Sequence, residues 1–198
     1  MKFRTNLNTR HNTSTVLLHT VIFLGIIIGS IFNAVYDLQS DSIILRQNIA
    51  PIDVKISLLD SFKSSLFIYT AFLISFALNG LFAIGQAFSI LLLIFRGFAI
   101  GFSLSSIYVS LGLKAVIPVA VTILPKLVAV SVIFVLSARE SLRLSSKIFS
   151  FLFLSVNDED IINYIKLYFI KFAILTVFII VTAVAESAIN YLFIDLFY

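Results

Sequence analysis

The sequence predicts an all-α integral membrane protein of about five transmembrane helices, with the N-terminus inside and the C-terminus outside. Three observations lead there. Apolar residues make up 60% of the 198 and charged residues 12%, whereas soluble domains sit near ~45–50% and ~25%. The chain contains runs free of charge that are long enough to cross a bilayer, which needs about 20 residues. Its basic residues gather at the ends of those runs, where they act as topology signals. The net charge of +4 is therefore read as membrane orientation and not as a nucleic-acid footprint.

The first run, Asn12 to Tyr36, holds 25 residues without Asp, Glu, Lys or Arg, and residues 16–36 are the first span. It is longer than a secretory leader and lacks a small-x-small cleavage site, so it stays in the mature chain. Ser64 to Leu113 is a stretch of 50 residues whose one charged member is Arg96. As a single helix it would be about 75 Å long, against a hydrocarbon core of about 30 Å. Two helices are required, with a tight turn where Asn79, Gly80, Gly85 and Gln86 interrupt the apolar sequence. Spans two and three are placed at 64–83 and 87–110.

Span four is placed at 115–138, and Pro118 and Pro125 within it predict a kink. Arg139, Arg143 and Lys147 follow at i, i+4 and i+8, which puts three cations on one helical face. The expectation is a basic interfacial helix lying along anionic headgroups. Asn157, Asp158, Glu159 and Asp160 then suit the N-cap and first turn of a last helix, with span five at 164–188. All 198 residues form one membrane domain, with an external loop at 37–63.

Orientation follows from the basic residues beside the spans. With the N-terminus inside, Lys2, Arg4, Arg10, Arg139, Arg143, Lys147, Lys166 and Lys171 lie on the cytoplasmic side, against Arg46, Lys55, Lys63 and Lys114 outside. The external loop contains Asp37, Asp41, Asp53 and Asp60. Too short to bury a core, it cannot hold two carboxylates in the fixed geometry that acid–base catalysis needs. Cysteine is absent and the two histidines are His11 and His19. His11 reads as a solvated tail residue and His19 as an interfacial one. No metal site, cofactor or catalytic residue is predicted, and the chain is read as no enzyme.

Ionisable residues at bilayer depth are costly and usually face a bundle interior. Arg96, Lys126 and Glu186 are the three predicted there. The simplest arrangement pairs Glu186 with Arg96 or Lys126 and leaves the other cation in surplus, to be met by water, a partner subunit's carboxylate, or an anionic lipid or substrate. Gly25 and Gly29 form one GxxxG, and Gly97 and Gly101 another that Ser105 extends. Such spacing lets helix backbones approach closely. It serves a helix of the same chain, the default reading, or a second copy in a homodimer.

The central stretch resembles the stage II sporulation protein M family. The resemblance rests on Gly80 and Gly85, Ile94-Phe95-Arg96-Gly97, Gly101-Phe102, Leu111-Gly112-Leu113-Lys114, Leu124-Pro125 and Ala185-Glu186-Ser187-Ala188-Ile189, in that order over residues 64–190. The family's pattern has lysine at the position of Arg96, so that charge is kept. It has glutamine at the position of Lys126, so that lysine is a departure. The resemblance implies a role in forespore engulfment, as the membrane partner that recruits and holds two peptidoglycan-degrading proteins, stage II sporulation proteins D and P. Family members also occur in organisms that do not form spores, so the engulfment role follows only where the source sporulates.

The expected function is thus a scaffold in the cell membrane, septal or engulfing in a spore former. It would contact membrane lipids, and would dock cell-wall hydrolases through the external loop and helix faces. The alternative expectation is a small transporter or channel subunit whose intramembrane charges line a pathway.

Overall fold

A computed structural model describes residues 2–36, 58–153 and 161–193. The described residues are helical apart from one short turn and contain no strand. The helices are α1 (Lys2–Tyr36), α2 (Leu58–Leu81), α3 (Gly85–Leu111), the three-residue α4 (Val116–Pro118), α5 (Leu124–Phe153) and α6 (Ile161–Phe193). Five segments are long and apolar enough to cross a membrane: Thr15–Val35, Leu59–Leu81, Gly85–Ser110, Gly112–Phe153 and Ile161–Ile189.

Each of the five predicted spans overlaps one of these segments, and the differences lie at their ends. Helix α1 starts at Lys2, well before the predicted span, so the segment that carries His11 is helical. Helix α2 starts at Leu58, so the last residues of the predicted external loop are helical. The rest of that loop and the acidic cluster at Asn157 to Asp160 lie outside the described residues. The turn between α2 and α3 is tighter than the predicted breakers imply, because only Phe82, Ala83 and Ile84 are non-helical. The amides of Phe82 and Gly85 donate to the carbonyls of Asn79 and Phe82 at 3.3 and 3.0 Å. Asn79 and Gly80 thus close α2, and Gly85 and Gln86 open α3.

The fourth span is one helical path whose pitch changes along the way. A 3₁₀ turn at Gly112–Ala115 leads into α4, a π-helical turn at Val119–Ile123 comes next, and α5 continues without interruption from Leu124 to Phe153. Gly112, at the reversal after α3, has φ +57°. That left-handed conformation costs a glycine little and any residue with a Cβ much more.

Contacts give the direction of every span. Along α1 and α3 the paired positions rise together, Gly25 with Gly97 and Asn33 with Ser105, so these helices run parallel. Along α2 and α6 they run oppositely, since Tyr168 meets Phe76 and Ala77 while Tyr69 meets Glu186. Along α5 and α6, Lys126 meets Glu186 and Glu140 meets Lys171, again antiparallel. Along α3 and α5, Ser89 meets Ser141 and Arg96 meets Phe134, so these also run oppositely, and successive spans therefore alternate in direction, as a chain threaded repeatedly through a bilayer requires.

The core is built from the inward residues of all five spans, with Leu18, Tyr69, Phe76, Leu93, Phe134 and Ile179 among its buried members. A smaller cluster of Ile107, Ala115, Val119 and Ile123 closes the end near Gly112. The outward faces carry large apolar side chains on every span, among them Phe23, Phe67, Leu91, Val128 and Phe178. In water such a surface would aggregate, whereas in lipid it is the expected exterior.

Candidate functional site: two charged layers inside the bundle

The close packing of α1 on α3 frames the site. A Cβ placed on Gly25 would lie 3.0 Å from the Cα of Gly97, and one placed on Gly97 would lie 3.1 Å from the Cα of Gly25. A Cβ on Gly29 or Gly101 would run into the backbone of Phe98 or Ile26. The two GxxxG motifs are therefore each other's partners within one chain. Side chains continue the seam, with Ser30 Oγ donating to the carbonyl of Gly101 at 3.1 Å and Asn33 Nδ2 donating to Ser105 Oγ at 3.2 Å. Phe32 stacks edge-on against Phe98 with centroids 5.6 Å apart.

The structure brings the three predicted intramembrane charges to one region of the core. Lys126 Nζ lies 2.9 Å from Glu186 Oε1, and their side chains are 7% and 5% exposed. The other carboxylate oxygen accepts a hydrogen bond from Tyr69 Oη at 2.6 Å. Arg96, 2% exposed, stands beside that pair in an aromatic cage. Its guanidinium carbon sits 5.7, 5.4 and 5.5 Å from the ring centroids of Tyr69, Phe72 and Phe134, within the ~6 Å over which a ring face attracts a cation. Tyr69 joins the two halves, its ring facing Arg96 and its hydroxyl bound to Glu186. Of the two pairings the sequence left open for Glu186, the one formed is with Lys126, and aromatic rings enclose the other cation.

Lys126 reaches that position from the first turn of α5, immediately after the π-helical turn and Pro125. A π turn adds one residue to the helical circuit and so rotates the downstream residues about the helix axis. It thereby helps set the face on which Lys126 emerges.

A second charged layer was not predicted. Glu140, buried on α5, accepts from Arg139 Nη2 and Arg143 Nη1, both at 3.1 Å, through Oε1, and from Lys171 Nζ at 2.6 Å through Oε2. The basic face expected to lie along headgroups is thus gathered around a carboxylate at two of its three positions. The third, Lys147, sits 3.0 Å from the ring centroid of Tyr164 on α6. This part of α5 packs into the bundle and does not peel away from it, because its other face is a column of small polar residues, Ser137, Ser141 and Ser145, all fully buried. Ser141 Oγ pairs with Ser89 Oγ at 2.8 Å, and Ser145 Oγ donates to the carbonyls of Phe82 and Ala83 at 2.7 and 3.3 Å. Tyr168 Oη donates to the carbonyls of Phe76 and Ala77, holding the end of α2 against α6.

Two signals for this layer stand in the sequence. Glu140 lies one residue after Arg139 and three before Arg143, and serines recur every fourth residue from 137 to 145. Reading the cations alone as a lipid-facing stripe passed over both. Tyr69 and the aromatic cage offered no comparable signal, since aromatics are spread throughout the chain.

Two cavities border α3. One of about 460 Å³ is lined by Asn79 and apolar residues including Phe88, Leu91 and Phe95, and a second of about 10 Å³ lies between Ser103 and Ile123. Neither is lined by Arg96, Lys126, Glu186 or Glu140. Among the described residues no group of three His, Asp or Glu side chains is placed to hold a metal ion. No family model, curated protein or solved structure matches the chain.

Proposed function

We propose that this chain is a multi-pass membrane scaffold, with the N-terminus inside, that recruits and holds peptidoglycan-degrading partners at the membrane. One observation carries the reading: the bundle's deep charges are engaged with one another and with aromatic rings, and neither cavity reaches them. A pathway for ions or polar solutes would need such groups turned toward a wet cavity. A bundle that closes its charges inward instead presents stable surfaces for docking, and residues 37–63 are the proposed docking segment. The basic ends of α1, α5 and α6 fall on one side of the bundle, which supports the N-in orientation. The ordered resemblance over residues 64–190 supports stage II sporulation proteins D and P as the partners and the septal or engulfing membrane of a spore former as the location.

Affinity purification of the full chain from its native membrane tests this reading. Cell-wall hydrolases are expected to co-purify and to be lost when residues 37–63 are exchanged for an unrelated loop. Purification without any hydrolase would sink the proposal.

A transporter or channel subunit is the second reading, and the π-helical turn directly before Lys126 favours it, because irregular helix at bilayer depth is a recurrent feature of transport sites. Flux in proteoliposomes that vanishes in Lys126→Gln would establish that reading in place of the scaffold.

A further inference from the structure

The layer around Glu140 carries more positive charge than it neutralises. Among the described residues three cations, Arg139, Arg143 and Lys171, meet a single carboxylate, a surplus of two positive charges within this group. Its donors are only partly used. Arg139 Nε is buried with no hydrogen-bond partner, and the side chains of Arg143 and Lys171 remain 42% exposed. Glu140 holds the three cationic heads together at one point, and this arrangement is ready for an anion because the ordering of long side chains is already done.

The cluster's level also matters. Lys126 lies 14 residues before Glu140 on α5, and Lys171 lies 15 residues before Glu186 on α6, so the two charged layers are separated by about 21–23 Å along the two helices. The segment from Gly112 to Phe153 is 42 residues long, about 63 Å if helical throughout, and so exceeds a hydrocarbon core of about 30 Å. Glu140 lies five residues, about 7.5 Å, inside Ser145, which grips the α2–α3 turn at that end of the bundle. The excess length and the clustered cations at this end suit the headgroup region of one leaflet. Beyond Lys171 on α6, toward the Glu186 layer, stand Ile174, Val177 and Phe178, all exposed and apolar, suited to acyl chains hanging below a headgroup.

The geometry points to a binding site for the phosphate of an anionic phospholipid, formed by Arg139, Arg143 and Lys171 and preorganised by Glu140. The phosphate takes donors left over from the Glu140 contacts, and its acyl chains lie on the apolar face of α6. The site ties α5 to α6 through the lipid as well as through Glu140.

The test uses the full chain in nanodiscs of dioleoyl phosphatidylcholine with increasing dioleoyl phosphatidylglycerol, with bound lipid counted by native mass spectrometry. Phosphatidylglycerol is expected to be retained in preference to phosphatidylcholine. Arg143→Gln and Lys171→Gln should each weaken that retention about tenfold, the size of one charge-assisted hydrogen bond. Lys171→Arg, which keeps the charge, should retain most of it. Lys166→Gln removes an exposed cation of α6 outside the cluster and should leave it unchanged. Equal retention of the two lipids by the parent chain overturns the proposal without recourse to any variant. So does an equal loss in Lys166→Gln, which would mean diffuse surface charge, and so does displacement of the lipid by millimolar inorganic phosphate, which would mean a site for the free anion.

Discussion

The two charged layers use the same chemistry under opposite conditions. Around Glu186 the groups are enclosed, with one lysine and one tyrosine hydroxyl serving the carboxylate and an aromatic-caged arginine beside them. Around Glu140 the carboxylate is buried, but two of its three cations are half-exposed. The deep layer has no water to fall back on, so every member depends on the others and a single loss leaves a charge stranded. The shallow layer can rehydrate, so it tolerates surplus charge and remains open to a ligand. Burial, more than the identity of the residues, decides which layer locks the bundle and which can exchange partners.

The largest expected effect comes from breaking the deep layer at its acid. Glu186→Gln strands Lys126 and should destabilise the protein by about 3–5 kcal/mol, read as a lower melting temperature in detergent. An unchanged melting temperature would show that the pair is not buried. Replacing both members, Lys126→Met with Glu186→Leu, should restore most of the loss, because the pair then leaves no charge uncompensated.

Next in size is a change that leaves both layers alone. Gly101→Ile forces a side chain against the Ile26 backbone, which cannot swing aside, and should cost about 3 kcal/mol. The accompanying sign is loss of disulfide trapping between cysteines introduced at Asn33 and Ser105. If trapping persists, α1 is held by something other than the glycine seam.

Tyr69→Phe keeps the ring over Arg96 and removes only the hydroxyl donated to Glu186. About 2 kcal/mol is expected, the worth of a hydrogen bond to a buried charge, again by detergent melting. Glu140→Gln sits at the bottom of the scale, near ~1 kcal/mol, because its cations can turn to water. Salt sharpens the contrast. Raising NaCl to about 0.5 M should shrink the Glu140→Gln effect and leave that of Glu186→Gln in place, since screening acts on exposed charges and hardly on enclosed ones. Equal salt sensitivity would erase the distinction between the layers.

Much of the architecture was legible in the chain because lipid imposes a simple rule. A backbone crossing hydrocarbon must be helical, so counting uncharged residues locates the spans. Glycines four apart announce close helix contacts. The site was legible only in part. Arg96, Lys126 and Glu186 could be named as deep charges from their isolation in apolar sequence, but the partner of Glu186 could not. Either cation lies within reach by helix arithmetic, and the choice depends on the rotation of α5 about its axis. Glu140 was overlooked because charge beside a span reads as interfacial until its neighbours are known.

By itself, then, the sequence determined that the chain carries five segments long and apolar enough to cross a membrane, which ionisable groups stand isolated in apolar sequence, and which glycines must touch another backbone. Those properties follow from local composition and from spacing along one helix. The tertiary structure alone decided that the two glycine motifs face each other, that Lys126 rather than Arg96 forms the ion pair with Glu186, that Tyr69 links the two halves, and that Glu140 draws three cations together. Each of these depends on the relative rotation and height of two or more helices, quantities set by packing across the whole bundle and written in no single segment.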